Sequence, residues 1–140
     1  GPFQFPEKLI PLFITNLLDG LTVPLYGDGS NVRDWIHVED NCNAIENVLR
    51  AGKVGQIYNI GAGNEVTNLE LTKMLVELCD RDESAIVRVD DRPGHDFRYS
   101  IDSSLLRGLG WKPEVALFLG LEATVHWYRD HETWWRPKKA

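Results

Sequence analysis

The apolar and polar positions of this chain change period several times, and each change predicts an element. In "EKLIPLFITNLLD" (7–19) the apolar residues recur at helical spacing, and Gly20 follows at the usual stopping position. Pro11 lies near the start of that helix, where a missing backbone N–H costs least. "TVPLY" (22–26) predicts a short edge strand, because Pro24 cannot serve a central ladder. "GDGS" is a turn, and "RDWIHV" (33–38) alternates as a half-exposed strand does. A second helix is expected from Asp40 to Ala51, with Ala44, Ile45, Val48 and Leu49 on one face.

Further along, "QIYNIG" (56–61) is a short apolar run ending in glycine, the pattern of a strand buried on both faces. Thr67 and Glu70 form a T-x-x-E capping box ahead of the helix "LTKMLVELC". "AIVRVD" (85–90) is another strand, and "DRPGHD" (91–96), with Pro93-Gly94, is a loop. Asp102 is placed to cap a short helix ending at Gly110. The last helix runs from Phe118 to Asp130, with Phe118, Leu121, Val125 and Tyr128 on one side. Strands alternate with helices, so the class is α/β in a mixed α+β form. The strands are few, and "QIYNIG" is suited to a sheet larger than these residues supply.

The chain has 140 residues, 43% hydrophobic and 26% charged, the make-up of one globular domain. A net charge of −6 argues against nucleic acid or an anionic membrane as partner, since both need a basic face. No segment approaches the roughly 18 apolar residues of a membrane span, and there is no signal-peptide pattern. Cys42 and Cys79 are far apart, which argues against a disulfide framework and for a reduced, cytoplasmic chain. Cys79 reads as a small buried apolar residue. The four histidines show no metal-ligand spacing.

An anionic small ligand stays compatible with the charge, because a few arginines can serve it locally. Arg33 and Arg92, with Lys8 or Arg98, are placed on separate loop or strand edges where they can converge on a diphosphate. The competing reading pairs each arginine with a neighbouring acid: Asp34, Asp90 or Asp91. His95 is a candidate base or donor to a ligand. His37, His126 and His131 have no evident partner and read as surface or packing residues. Trp134 and Trp135 read as packing the tail onto the body rather than as a stacking platform. "IGAGNE" (60–65) follows an expected strand but lacks the third glycine of a dinucleotide fingerprint and the ribose-binding acid, so it reads as a strand-to-loop turn.

Four segments carry a resemblance: "GPFQFPEKLIPLFITNLLDG", "VPLYGDGSNVRDWIHVED", "IYNIGAGNEVTNLEL" and "DRPGHDFRYSID". In order, and over essentially the whole chain, they resemble the C-terminal part of the dTDP-glucose 4,6-dehydratases, extended short-chain dehydrogenases/reductases acting on nucleotide sugars. "VRDWIHVED" is common to the wider family, which includes UDP-sugar epimerases and decarboxylases. "PEKLIP" with "DRPGHD" is more specific to the dehydratases.

The resemblance implies a substrate-binding portion that grips a dTDP-sugar. Lys8 and Leu9 match the pair near the start of the first helix, and Pro24, Leu25 and Tyr26 match the lining of the thymine pocket. Arg33 matches the diphosphate arginine, and Asn68 a further substrate contact. Asp91, Arg92, Pro93, Gly94 and His95 match the loop that closes on the nucleotide.

The intact family enzymes are lyases that resemble an internal redox cycle. NAD⁺ oxidises the 4-hydroxyl, water leaves across positions 5 and 6, and the hydride returns at position 6. The family's cofactor loop, Tyr-x-x-x-Lys pair and acidic pair do not occur in these 140 residues. The expectation is therefore a C-terminal piece, with Gly1-Pro2 falling mid-sequence, an incomplete Rossmann sheet, and no activity alone. The helix at 40–51 and "QIYNIG" would then expose an apolar face, favouring a homodimer or other self-association. The alternatives are a relative acting on another nucleotide sugar and a non-catalytic dTDP-sugar-binding module.

Overall fold

In the computed structural model, which describes residues 1–139, the core is a layer of three helices laid on a pair of parallel strands. Helix α1 (Leu9–Leu18) packs against α3 (Asn68–Leu78) and α5 (Leu117–Asp130), and those two pack on each other. Phe13, Ile14, Leu17, Leu71, Leu75, Leu121 and Val125 meet in the middle. Each such side chain contributes about 1.5–3 kcal/mol on burial. Strand β1 (Val23–Tyr26) runs parallel to β4 (Ile86–Val89), with Val23 opposite Ile86 and Tyr26 opposite Val89. Pro24 is accommodated because β1 has a strand on one side only.

A second two-stranded sheet pairs β2 (Val32–Asp34) antiparallel with β3 (Glu65–Thr67). Residues 97–99 lie along its open side. Val32 donates its N–H to the Phe97 carbonyl (2.8 Å), and Tyr99 donates to the Val32 carbonyl (3.1 Å). Helix α2 (Val38–Ala51) packs through Ala44 and Val48 on Leu106 and Trp111. Leu106 belongs to the short α4 (Ser104–Arg107), and α6 (Glu132–Trp135) follows α5.

Helix ends follow local chemistry. The capping box is complete: Thr67 Oγ1 accepts from Glu70 N, and the Glu70 carboxylate accepts from Thr67 N at 2.8 Å. Helix α1 closes on Gly20 (φ 77°), whose N–H reaches the Leu17 carbonyl while the Leu21 N–H reaches Asn16. Helix α3 closes in the same way on Asp80, a non-glycine residue at φ 56°. The tail packs inward: Trp135 is buried with its indole N–H on the Tyr128 carbonyl (2.7 Å), and Trp134 stands edge-on to Phe3 and Trp127.

Several expectations need correction. The strand "RDWIHV" pairs only at 32–34, because His37 leaves the sheet and caps α2, its ring nitrogen accepting from Glu39 N. Helix α2 therefore begins at Val38, and its Ile45 and Leu49 point outward while Ala44 and Val48 point in. His131 also has a partner, stacking on Trp127 at 4.5 Å. Helix α4 ends at Arg107 with Gly108 as its C-cap, short of Gly110, and Asp102 accepts from Ser104 N one residue ahead of the N-cap. Phe118 is exposed.

"QIYNIG" forms no strand, because no neighbour among the described residues pairs with it. Tyr58 and Ile60 turn inward onto the Ala44 cluster, while Ile57 is 78% exposed and Leu49 of α2 81% exposed. No described helix is long and apolar enough to cross a membrane.

Candidate functional site

The parallel pair β1–β4 delivers two loops to the same place, since both strands end at their carboxyl ends side by side. Crevices at the carboxyl ends of parallel strands are where α/β folds hold ligands. The loop after β1 turns through Gly27 (φ 56°) and Gly29 (φ 78°). At Gly29 a Cβ would stand 2.9 Å from Leu25 and Leu69 side-chain atoms, so only glycine lets the turn lie flat on α3. The loop after β4 is folded on itself by Asp91. One of its carboxylate oxygens accepts from Arg92 N (2.9 Å) and meets His95 Nδ1 at 2.7 Å. The His95 ring, whose side chain is 6% exposed, stands edge-on to Tyr26 with centroids 6.2 Å apart.

Asp96 ties this cluster to the second sheet. Its backbone carbonyl accepts from Arg33 Nη2 (2.9 Å) and from Asn31 Nδ2 (3.3 Å). The Asn31 carbonyl in turn accepts from Asn68 N (2.9 Å) at the start of α3. Asn68 is buried, and its side-chain oxygen has no hydrogen-bond partner among the described residues. One relay of hydrogen bonds thus links Asn68, Asn31, Asp96 and Arg33.

The state of the cations separates the two readings of the arginines. Arg33 does not pair with Asp34, whose carboxylate accepts from Gly63 N (3.1 Å) and Asn64 N (2.8 Å). Its guanidinium instead donates to the Val32 and Asp96 carbonyls and lies over the Tyr99 ring, 4.3 Å from the centroid. All three partners are neutral, so the positive charge is fixed in place without being cancelled. The Tyr99 hydroxyl donates to the Asp96 carboxylate, which raises its pKa above the ordinary tyrosine value. The charges of Arg33 and Arg92 act on that hydroxyl in the opposite sense, which places both cations near it.

Arg92 has no ion pair among the described residues. Arg98, by contrast, is neutralised by Glu65 at 2.5 Å. Hydrogen bonding from Ser100 and the charge of Arg98 hold that carboxylate below its usual range.

Tyr26, Arg33, Asn68, Asp91, Arg92, Pro93, Gly94 and His95 thus lie in one connected region. Leu25 is buried beneath the Gly29 turn, and Pro24 is half-buried opposite Val87. Lys8 and Leu9 lie at the start of α1. Lys8 is exposed and paired with Glu7 at 2.9 Å, and Leu9 packs on the core. Sequence reasoning missed Asn31, Asp96 and Tyr99, which build the region from its second layer. The only signal for Tyr99 was its place beside the "DRPGHD" loop. A contact between residues 66 positions apart leaves no trace in periodicity.

Known proteins resemble this chain in sequence and in fold. Residues 1–124 match the family model described as GDP-mannose 4,6 dehydratase. A dTDP-glucose 4,6-dehydratase of Streptomyces niveus is 52% identical over 141 residues, covering 100% of this chain and 42% of that protein. A dTDP-glucose 4,6-dehydratase of an Actinoplanes species is 55% identical over 136 residues, covering 96% and 42%. The crystal structure of DesIV, a dTDP-glucose 4,6-dehydratase from Streptomyces venezuelae with NAD and TYD bound, superposes with a TM-score of 0.96 at 54% identity. It covers 99% of this chain and 44% of that one. The chain therefore spans less than half the length of the relatives it matches.

Proposed function

The chain belongs to the GDP-mannose 4,6 dehydratase family, and on that premise we propose that it is the nucleotide-sugar-binding part of a dTDP-glucose 4,6-dehydratase. The whole protein would act as a lyase, converting dTDP-glucose to dTDP-4-keto-6-deoxyglucose and water. Residues 1–140 form its C-terminal substrate domain, and the NAD-binding Rossmann domain lies in the remainder. The observation that carries the reading is Arg33: a guanidinium held by two carbonyls and a ring, unpaired with any carboxylate among the described residues, beside the ends of two parallel strands. A non-titrating planar cation in that state suits a diphosphate. Arg92 supplies a second cation. Tyr26, with His95 at its edge, gives an aromatic wall for the base. Lys8, Leu9, Pro24, Leu25 and Asn68 complete the contact set carried over from the resemblance.

NAD, bound in the Streptomyces venezuelae structure, supplies the hydride chemistry of such an enzyme. The residues of this chain do not fit it. The amides of the glycine loop at Gly63 and Asn64, which a pyrophosphate would need, already donate to Asp34. The part of this chain is to hold and orient the substrate. The exposed apolar face of Ile45, Leu49, Val54 and Ile57 supports the view that further protein covers α2 and residues 54–57. On its own, the 140-residue chain should self-associate through that face, and a compact monomer at high concentration in sedimentation would count against this.

Calorimetric titration tests the assignment. dTDP should bind more tightly than UDP, and a preference for UDP would transfer the chain to the epimerase branch. Arg33→Ala should weaken dTDP binding by about 1–3 kcal/mol, the range for a charge-assisted contact. Unchanged affinity would remove Arg33 from the site.

A further inference from the structure

We propose that Tyr99 is a positioning residue for Arg33: its ring holds the guanidinium in the orientation that meets the diphosphate. The inference rests on the substrate reading above and adds a residue that the resemblance does not supply. Arginine has a long, rotamer-rich side chain, and freezing it at the moment of binding weakens affinity. Here the freezing is done beforehand. Arg33 Nη1 donates to the Val32 carbonyl at 2.7 Å and Nη2 to the Asp96 carbonyl at 2.9 Å, while the ring of Tyr99 lies 4.3 Å from the guanidinium carbon.

The ring is itself fixed at both ends. Its backbone N–H donates to the Val32 carbonyl at 3.1 Å, and its hydroxyl donates to the Asp96 carboxylate. Val32 and Asp96 therefore brace Arg33 and Tyr99 together, which closes a loop of contacts across 66 positions of sequence. An aromatic face attracts a cation without neutralising it, whereas a carboxylate there would compete with the phosphate oxygens. The Asp96 carboxylate is turned to the tyrosine hydroxyl, and only its backbone carbonyl meets the arginine.

The test uses the 140-residue chain with dTDP and thymidine as probes, and Tyr99→Leu, Tyr99→Phe, Arg33→Ala and the Arg33→Ala/Tyr99→Leu pair as variants. Tyr99→Leu should weaken dTDP about fivefold, the size of an exposed cation–π contact, and leave thymidine unchanged. Tyr99→Phe keeps the ring and should stay within about twofold of the parent. The double variant should bind no more weakly than Arg33→Ala alone. Equal losses for dTDP and thymidine would reduce Tyr99 to a structural residue and overturn the proposal. An effect of Arg33→Ala without one of Tyr99→Leu would overturn it while leaving the substrate reading intact. No effect of Arg33→Ala, or no binding of either probe, would overturn the substrate reading and the inference with it. Guanidinium NMR gives an independent readout. The Arg33 Nη signals should be resolved and ring-shifted in the parent and averaged in Tyr99→Leu, and identical signals in both would overturn the proposal without reference to any ligand.

Discussion

Replacing Asp40 by alanine should be among the most damaging single changes in the smaller core. Asp40 is 2% exposed in the first turn of α2 and anchors the loop that leads into α5. Its two carboxylate oxygens accept from Glu114 N at 2.9 Å and Val115 N at 3.1 Å, and its backbone carbonyl accepts from the Trp111 indole at 3.2 Å. Asp40→Ala removes both side-chain acceptors and leaves two amides without partners. Stranding a buried donor costs about 1–3 kcal/mol. Glu114 is exposed, so water recovers part of one bond, and the expected total is about 2–4 kcal/mol. That is a large fraction of the roughly 5–15 kcal/mol that a domain has in all. Asp40→Asn keeps one acceptor but points an NH₂ at an amide, and should lose at least half as much. Urea unfolding followed by tryptophan fluorescence reads the change as a midpoint shift of about 1–2 M for a slope near 2 kcal/mol/M. A shift worth less than about 0.5 kcal/mol in Asp40→Ala would refute the claim that these bonds hold the loop.

Three other substitutions or conditions probe separate features. Asp80→Gly should stabilise the chain by about 0.5–1 kcal/mol, because the C-terminal turn of α3 forces residue 80 to positive φ; the exposed 3.5 Å ion pair with Arg129 that is lost offsets little, and a lower urea midpoint would contradict this. Burial alone would raise the pKa of Asp19, but hydrogen bonds from Lys139 and Arg136 bring it below the usual 3.8. Its contribution is therefore complete above that value and lost as pH falls through the lower folded value. The stability gap between the parent and Asp19→Asn should narrow on acidification below about pH 4, and a gap that widens would reverse the sign. Burial pushes the Cys79 thiol up to about 11, while Cys42 is exposed. Iodoacetamide at pH 8 should label one cysteine per native chain and two after unfolding, and fast labelling of Cys79 in the native state would contradict its burial.

The parts of the fold legible in the sequence are those fixed by neighbours along the chain. The Thr67–Glu70 box and the stop at Gly20 are contacts over a few residues, so the pattern contains them whole. "QIYNIG" misled because apolar composition reports a preference for burial and says nothing of whether a pairing strand is at hand. His37 was opaque for a different reason: a histidine seldom caps a helix, and nothing in its neighbours distinguishes this one. At the site, residue types marked the loops correctly. Whether Arg33 met an acid or a carbonyl depended on Asp34 being claimed by the amides of residues 63 and 64, about thirty positions away.

The C-terminal turn of α1 has a consequence for how the chain is made. Its carbonyl at Leu17 is met by Arg81, and the carbonyl at Thr15 by Lys139, which also pairs with Asp19 at 2.7 Å. Tyr128 likewise donates to Gln4. Within these residues the first helix is thus completed by some of the last, and β1 waits for a partner 63 positions downstream. Such separations slow folding. On the ribosome, α1 and β1 must stay uncommitted until residue 139 has emerged, so this stretch depends on late release rather than early collapse for its native form.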